Sequence, residues 1–260
     1  MKTLLSLLTF GLLASTAMAA EPDTRLFEVR VYYAAEGKLD ALNARFRDHT
    51  LKLFAKHGIT SLGYFVPTKN TEHKLVYFLA YADRAARDAS WKAFQADPEW
   101  KSAQKASEAN GKLITKVESA FLTATDYSPL AAAKAYGQGV FELRTYTTEA
   151  GRLPNLNARF RDHTLKLFEK HGMTNVTYWN LAADQKGAKS PLVAGNTLIY
   201  LLTHKSEEAA KASFDAFRAD PVWVAAKEAS EQKAGGSLTI PQPNGVKSEF
   251  LIPTDYSPVK

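Results

Sequence analysis

The stretch Leu42–Gly58 reads LNARFRDHTLKLFAKHG, and Leu156–Gly172 reads LNARFRDHTLKLFEKHG. Only Ala55 and Glu169 differ between them. A chain that carries one amphipathic helix twice is built from a repeat, so its fold must be read by halves. The match extends outward from the helix. Phe27–Val66 aligns with Phe141–Asn180 at a constant offset of 114. WKAFQADPEW at Trp91–Trp100 aligns with FDAFRADPVW at Phe214–Trp223 at an offset of 123. The longer segment LAADQKGAKSPLVAGN supplies the difference, as an extended hairpin loop. FLTATDYSP at Phe121 and FLIPTDYSP at Phe250 close each copy.

Each copy reads alike. FEVRVYY alternates, with Phe27, Val29 and Val31 on one face and Glu28, Arg30 and Tyr32 on the other, as in a half-buried strand. A helix is expected from about Lys38 to His57, ended by Gly58 in a left-handed cap, with Gly172 in the second copy. SLGYFV and KLVYFLAY read as strands. DRAARDASWKAFQ reads as a helix capped by Asp83, and ADPEW starts a further helix with Asp97 as cap and Pro98 at its first position. VESAFL is a last strand. The order β-α-β-β-α-β is ferredoxin-like. Helices cover one face of such a sheet, and two copies can cover the other face mutually. The expected fold is α+β: two ferredoxin-like units fused into a pseudo-dimeric α/β barrel. The expected boundaries are a leader at 1–19, a first domain at 25–126, a linker at 127–138 and a second domain at 139–256.

The leader reading rests on Lys2, the apolar run Leu4–Leu13 and Ala17-Met18-Ala19, the pattern of a secretory signal peptide cleaved near Ala20. It predicts export, to the periplasm in a Gram-negative host. The chain's net charge of +6 becomes +5 without Lys2. Lys and Arg are interspersed with Asp and Glu along helices, which argues against a nucleic-acid groove. With no cysteine, disulfides, thiolate chemistry and cysteine zinc sites are excluded. No later segment is apolar for long enough to span a bilayer.

The polar positions on the repeated elements are the site candidates. Glu28, Arg30 and Tyr32 recur as Glu142, Arg144 and Tyr146. If the apolar strand face packs under the helices, this face looks into the space between the sheets. There Arg would offer a fork for an anion and Tyr a hydroxyl, lining a pocket for a small polar or aromatic molecule. A Glu–Arg ion pair fixing the sheet interface is the alternative. On the helix, the 100° step places Arg45, Asp48, Lys52 and Lys56 on the outer face. Asn43, Thr50 and His57 lie seven apart in or beside the apolar stripe, where each needs a hydrogen-bond partner if buried. His49 and His57 stand about 12 Å apart along the helix, too far to share one metal. His57 and His171 suit the helix C-terminus. His49, His163, Tyr32 and Tyr146 are the candidates for proton transfer. Trp100 and Trp223 read as anchors for the extra helix. No metal site and no cofactor are expected.

FEVRVYY, the His-bearing helix ending KHG, the following GYF and DRAARDASWKAFQADPEW, with FELRTYT, KHG, YWN and FDAFRADPVW in the second copy, together resemble the NIPSNAP family. The resemblance covers about residues 25–126 and 139–256. It implies a ferredoxin-like domain of the dimeric α/β-barrel type and no defined reaction. The wider superfamily implies two alternatives: a cofactor-independent monooxygenase, or a haem protein using His49 or His163. A structural or protein-interaction module is a third.

Overall fold

The computed structural model describes residues 23–129, 136 and 139–260. The leader expected at 1–19 lies outside the described residues, as does most of the linker expected at 127–138. The first unit runs β1 (Leu26–Ala34), α1 (Leu39–Arg45), α2 (Leu51–Lys56), β2 (Thr60–Pro67), β3 (Lys74–Tyr81), α3 (Arg84–Ala96), α4 (Pro98–Ser107) and β4 (Ile114–Ala124). The second repeats it as β5 (Val140–Thr147), α5 (Leu153–Arg159), α6 (Leu165–Lys170), β6 (Thr174–Leu181), β7 (Thr197–His204), α7 (Glu207–Ala219), α8 (Pro221–Ala234) and β8 (Val246–Pro253). No helix among the described residues is long and apolar enough to cross a membrane.

The eight strands close into one barrel in the order β1-β3-β2-β8-β5-β7-β6-β4. Each unit contributes four adjacent strands, and edge pairs join the units. Phe65–Pro67 of β2 meets Leu251–Pro253 of β8, and Leu122–Ala124 of β4 meets Trp179–Leu181 of β6. Every neighbouring pair is antiparallel, so β1, β2, β5 and β6 all start at the same end of the barrel. Closure leaves no free strand edge.

The barrel interior is apolar, built from residues such as Phe27, Val29, Phe78, Leu122, Trp179 and Leu201. This corrects the expected orientation of the first strand. Phe27, Val29 and Val31 face the barrel interior, and Glu28, Arg30 and Tyr32 lie on the outer surface beneath the helices. Among the apolar side chains of the interior an ion pair would be desolvated at a large cost. The helix layer supplies such partners. At the end opposite the strand starts, residues 182–196 fold back along β4. Gln185 brackets the Phe121 backbone, accepting from its N–H at 3.0 Å and donating to its carbonyl at 2.7 Å. Leu192 and Ala194 then pack on the interior core.

The repeated helix is not regular. A π-helical turn, Phe46–Thr50, separates α1 from α2, and Phe160–Thr164 does the same in the second unit. The buried Thr50 hydroxyl donates back to the Arg45 carbonyl at 3.1 Å, and Thr164 repeats this on Arg159. Such turns concentrate at functional sites. Gly58 and Gly172 end the helices at φ +75 and +78, a conformation that favours glycine. The repeated TDYSP tails cross between units. Tyr256 donates to Asn43 at 2.7 Å and Tyr127 to Asn157 at 2.8 Å. Asp255 receives Arg47, and Asp126 receives Arg161.

Candidate functional site

In each unit a cleft opens between the helices and the outer face of the barrel. The first is lined by Arg30, Tyr32, Arg45, Trp91, Trp100 and Glu108 among others, and has a volume of about 480 Å³. The second holds Arg144, Tyr146, Arg159, Phe214, Trp223 and Glu231, with about 650 Å³. Arg30, Tyr32, Arg144 and Tyr146 therefore line clefts, but between sheet and helices and not between the two sheets.

Glu28 sits behind the first cleft, fully buried. Its carboxylate accepts from Arg30 at 2.5 Å, from the Tyr81 hydroxyl at 3.0 Å and from Arg87 at 3.0 and 3.2 Å. Arg30 also donates to the hydroxyls of Tyr77 at 2.9 Å and Tyr32 at 3.3 Å, and its guanidinium lies 4.4 Å from the centre of the Trp91 ring. Burial alone would push the Arg30 guanidinium down, but Tyr32, Tyr77 and Glu28 outweigh it and hold it well above the usual arginine value. Burial also raises the Tyr77 and Tyr200 phenols, which keeps them neutral. In the second unit Arg144 donates to Glu142 at 2.5 Å, Tyr200 at 3.0 Å and Tyr146 at 3.4 Å. His204 stands where Tyr81 does and meets Glu142 at 2.9 Å, while Ala210 replaces Arg87. The buried Nδ1 of His204 has no hydrogen-bond partner among the described residues.

Arg45 is expected on the solvent face of the helix, and Arg159 is its equivalent in the second unit. They are instead 3% and 6% exposed. The last helix of each unit covers them. Arg45 donates to Ser107 at 3.3 Å and Glu108 at 2.9 Å, and lies 5.3 Å from the Trp100 ring centre. Arg159 donates to Ser230 at 3.3 Å, with Glu231 at 3.7 Å and the Trp223 ring at 5.0 Å. In both residues the Nε–H is buried without an acceptor among the described residues. Burial pulls the Arg159 guanidinium below its ordinary value despite Tyr146 and Glu231. A buried cation with an unused donor favours an incoming anion or carbonyl oxygen. The charged lining residues agree: Arg30, Arg45 and Lys112 against Glu108 in one cleft, and Arg144, Arg159, Arg218 and Lys227 against Glu228 and Glu231 in the other, leave +2 in each.

Other candidate residues lie elsewhere. His49 is half-buried, His163 is exposed, and neither lines a cleft. His57 and His171 close α2 and α6 by reaching the carboxylates of Asp97 and Asp220 at 2.7 and 2.8 Å. Asp97 also receives Lys56 and the Glu99 N–H, so it caps α4 while tying it to α2. Trp100 and Trp223 pack on Phe94 and Phe217 and also form the aromatic walls of the clefts. Among the described residues no cluster of His, Asp or Glu could hold a metal ion.

The NIPSNAP family profile matches residues 27–129 and 141–258. This chain belongs to the NIPSNAP family. A NIPSNAP-family protein from Agrobacterium tumefaciens is 24% identical over 41% of this chain and 98% of its own, with a TM-score of 0.37. Over the whole barrel the NIPSNAP chain shares its fold with an anthrone oxidase-like protein, at 12% identity, 89% and 92% coverage and a TM-score of 0.55. A monooxygenase-like protein from Lactobacillus acidophilus NCFM is 11% identical, with 89% and 94% coverage and a TM-score of 0.53. No curated protein matches the sequence.

Proposed function

We propose that this NIPSNAP protein binds a small aromatic anion in each of its two outer clefts. The observation that carries the reading is the pair of buried guanidiniums, Arg45 and Arg159, each with an Nε–H lacking an acceptor and each lying against a tryptophan. The tryptophan gives a flat wall for a ring, and the guanidinium gives charge-assisted donors for a carboxylate or phenolate. The test is calorimetric titration with 1-hydroxy-2-naphthoate. The expected result is two sites per chain, with one lost in Arg45→Met and both lost in the variant that also carries Arg159→Met. Unchanged binding in the double variant would overturn the assignment and leave a structural or protein-interaction role.

A second reading is a cofactor-independent oxygenase. It draws on the names of the two fold relatives and on a guanidinium able to stabilise an enolate oxygen on the substrate. With anthrone as probe, the methylene carbon would be oxidised to a carbonyl. One atom of dioxygen would enter the product and the other would leave as water with the two methylene hydrogens. Oxygen uptake that depends on anthrone and disappears in the double arginine variant would support this reading. Binding without uptake would leave the protein a binder.

The leader adds the proposal that the protein acts outside the cytoplasm. Protein recovered from the periplasm of a Gram-negative host would then begin near Ala20. An N-terminus still at Met1 would refute export by cleavage.

A further inference from the structure

At the end of the barrel where β1, β2, β5 and β6 begin, the interior is open. A cavity of about 230 Å³ enters there, between Phe65, Phe78, Phe141, Val176, Trp179 and Leu201. It is separate from both outer clefts, which lie on the other side of the sheet. Its walls are ring faces. Trp179 stacks on Phe78 with centroids 5.1 Å apart and an interplanar angle of 11°, and Phe65 meets Phe141 at 5.0 Å. The hydroxyl-bearing residues Thr60, Ser61, Tyr136 and Thr177 and the Arg25 side chain also contribute to the lining. Arg25 is engaged in a two-pronged ion pair with Asp23, at 2.9 and 2.7 Å.

Trp179 is the informative residue. The repeat places Phe65 at the equivalent position in the first unit. The second unit thus carries an added N–H donor in an otherwise dry interior. Trp179 is 1% exposed, and its indole nitrogen has no hydrogen-bond partner among the described residues. A buried N–H without an acceptor is unfavourable, and phenylalanine would fill the same wall without it.

We propose that this cavity is a binding site for a small neutral aromatic molecule bearing one hydrogen-bond acceptor, of the aromatic ketone or aldehyde class, and that Trp179 Nε1 donates to that acceptor. Size, charge and shape each restrict the ligand. An apolar cavity of about 150 Å³ holds a benzene, so this one accepts a single ring with a short substituent. Arg25, the only charged lining residue among the described residues, has a carboxylate partner, so no ionic group is called for. The flat walls favour a ring over a branched chain. This inference does not depend on the reading of the outer clefts.

The test uses the four indole N–H signals of the four tryptophans in ¹⁵N-labelled protein, titrated with acetophenone and with ethylbenzene, which has a similar shape but no acceptor. The expected result is that one signal, absent in Trp179→Phe, moves saturably with acetophenone. Acetophenone should bind about three- to tenfold more tightly than ethylbenzene, the worth of one neutral hydrogen bond. Trp179→Phe, which restores the residue of the first unit, should remove that preference. Leu201→Phe should fill the cavity and weaken both compounds, and the double arginine variant should bind both as the parent does. The absence of a saturable shift at Trp179 would overturn the proposal. So would equal affinity for the two compounds in the parent, or a shift that disappears in the double arginine variant, which would place the ligand in the outer clefts. If Trp179→Phe does not fold, the parent contrast and Leu201→Phe still decide.

Discussion

Arg45 and Arg159 combine burial with an incomplete set of partners, so their contributions to stability and to binding should separate. Desolvating a guanidinium offsets much of what its carboxylate partner returns, and apolar residues of similar volume often replace buried ion pairs without loss. Arg45→Met leaves the Glu108 carboxylate, which is 25% exposed, to water, so the urea midpoint should fall only slightly while ligand binding in that cleft is lost. A large fall in stability would show that the arginine is a structural pin. The opposite behaviour is expected at Glu142, which is buried and receives both Arg144 and His204. His204→Leu removes a donor from a buried carboxylate and should cost about 1–3 kcal/mol in chemical denaturation. His204→Tyr, which restores the first unit's residue, should cost much less. Acid should destabilise the fold through the same group. Burial would raise the Glu142 pKa, but His204 and Arg144 outweigh it and hold it below its ordinary value of 4.5. Its contribution is therefore present above that value and is lost as pH falls through the lower folded pKa. Asp97 and Asp220, depressed by Lys56 and Lys170 first and by the histidines next, act in the same direction. The part due to Glu142 is the difference between the parent and Glu142→Gln, whose midpoint should fall less steeply between pH 5 and 3.

The π turn is the element that most affects the site. Thr50 is explained by its position at the end of that turn: a hydroxyl within the apolar stripe is tolerable because it donates to the Arg45 carbonyl five residues back. Thr50→Val removes that bond and should cost about 0.5–1.5 kcal/mol, with Thr164→Val doing the same in the second unit. Denaturant unfolding measures both. The repeat, the order of elements along the chain and the helix ends were legible in the sequence because they rest on local signals: alternation, capping residues and glycine stops. The alternation of FEVRVYY was also visible, but not which face turned inward. That depends on barrel closure, which makes the interior too dry for Glu28 and Arg30. The burial of Arg45 was hidden for two reasons. A regular 100° step places it opposite the apolar stripe, and neither the π turn nor the covering helix α4 is encoded in its neighbours. The tyrosines of the TDYSP tails were equally silent, since Asn43 lies 213 residues from Tyr256.

At the scale of the whole molecule, the two units hold each other by reciprocal devices. β2 pairs with β8 as β6 pairs with β4, and each TDYSP tail latches onto the other unit's repeated helix. A single unit would expose two strand edges and the aromatic interior face of its sheet, an arrangement that favours association over a stable monomer. The covalent link therefore acts mainly by raising the effective concentration of one half for the other. Residues 23–138 and 139–260, coexpressed as separate chains, should copurify as a one-to-one complex whose thermal midpoint rises with protein concentration, whereas that of the tandem chain should not. The first half alone should form a homodimer in sedimentation experiments, because its β2 and β4 edges can pair with those of a second copy. Phe65 would then replace Trp179 in both halves of the interior, and the segment 182–196 that covers one barrel end would be missing. The homodimer should accordingly unfold at a lower denaturant concentration than the one-to-one complex at equal concentration. A first half that sediments as a folded monomer would show that the helix layer alone stabilises the unit, and that barrel closure is not what holds the fold together.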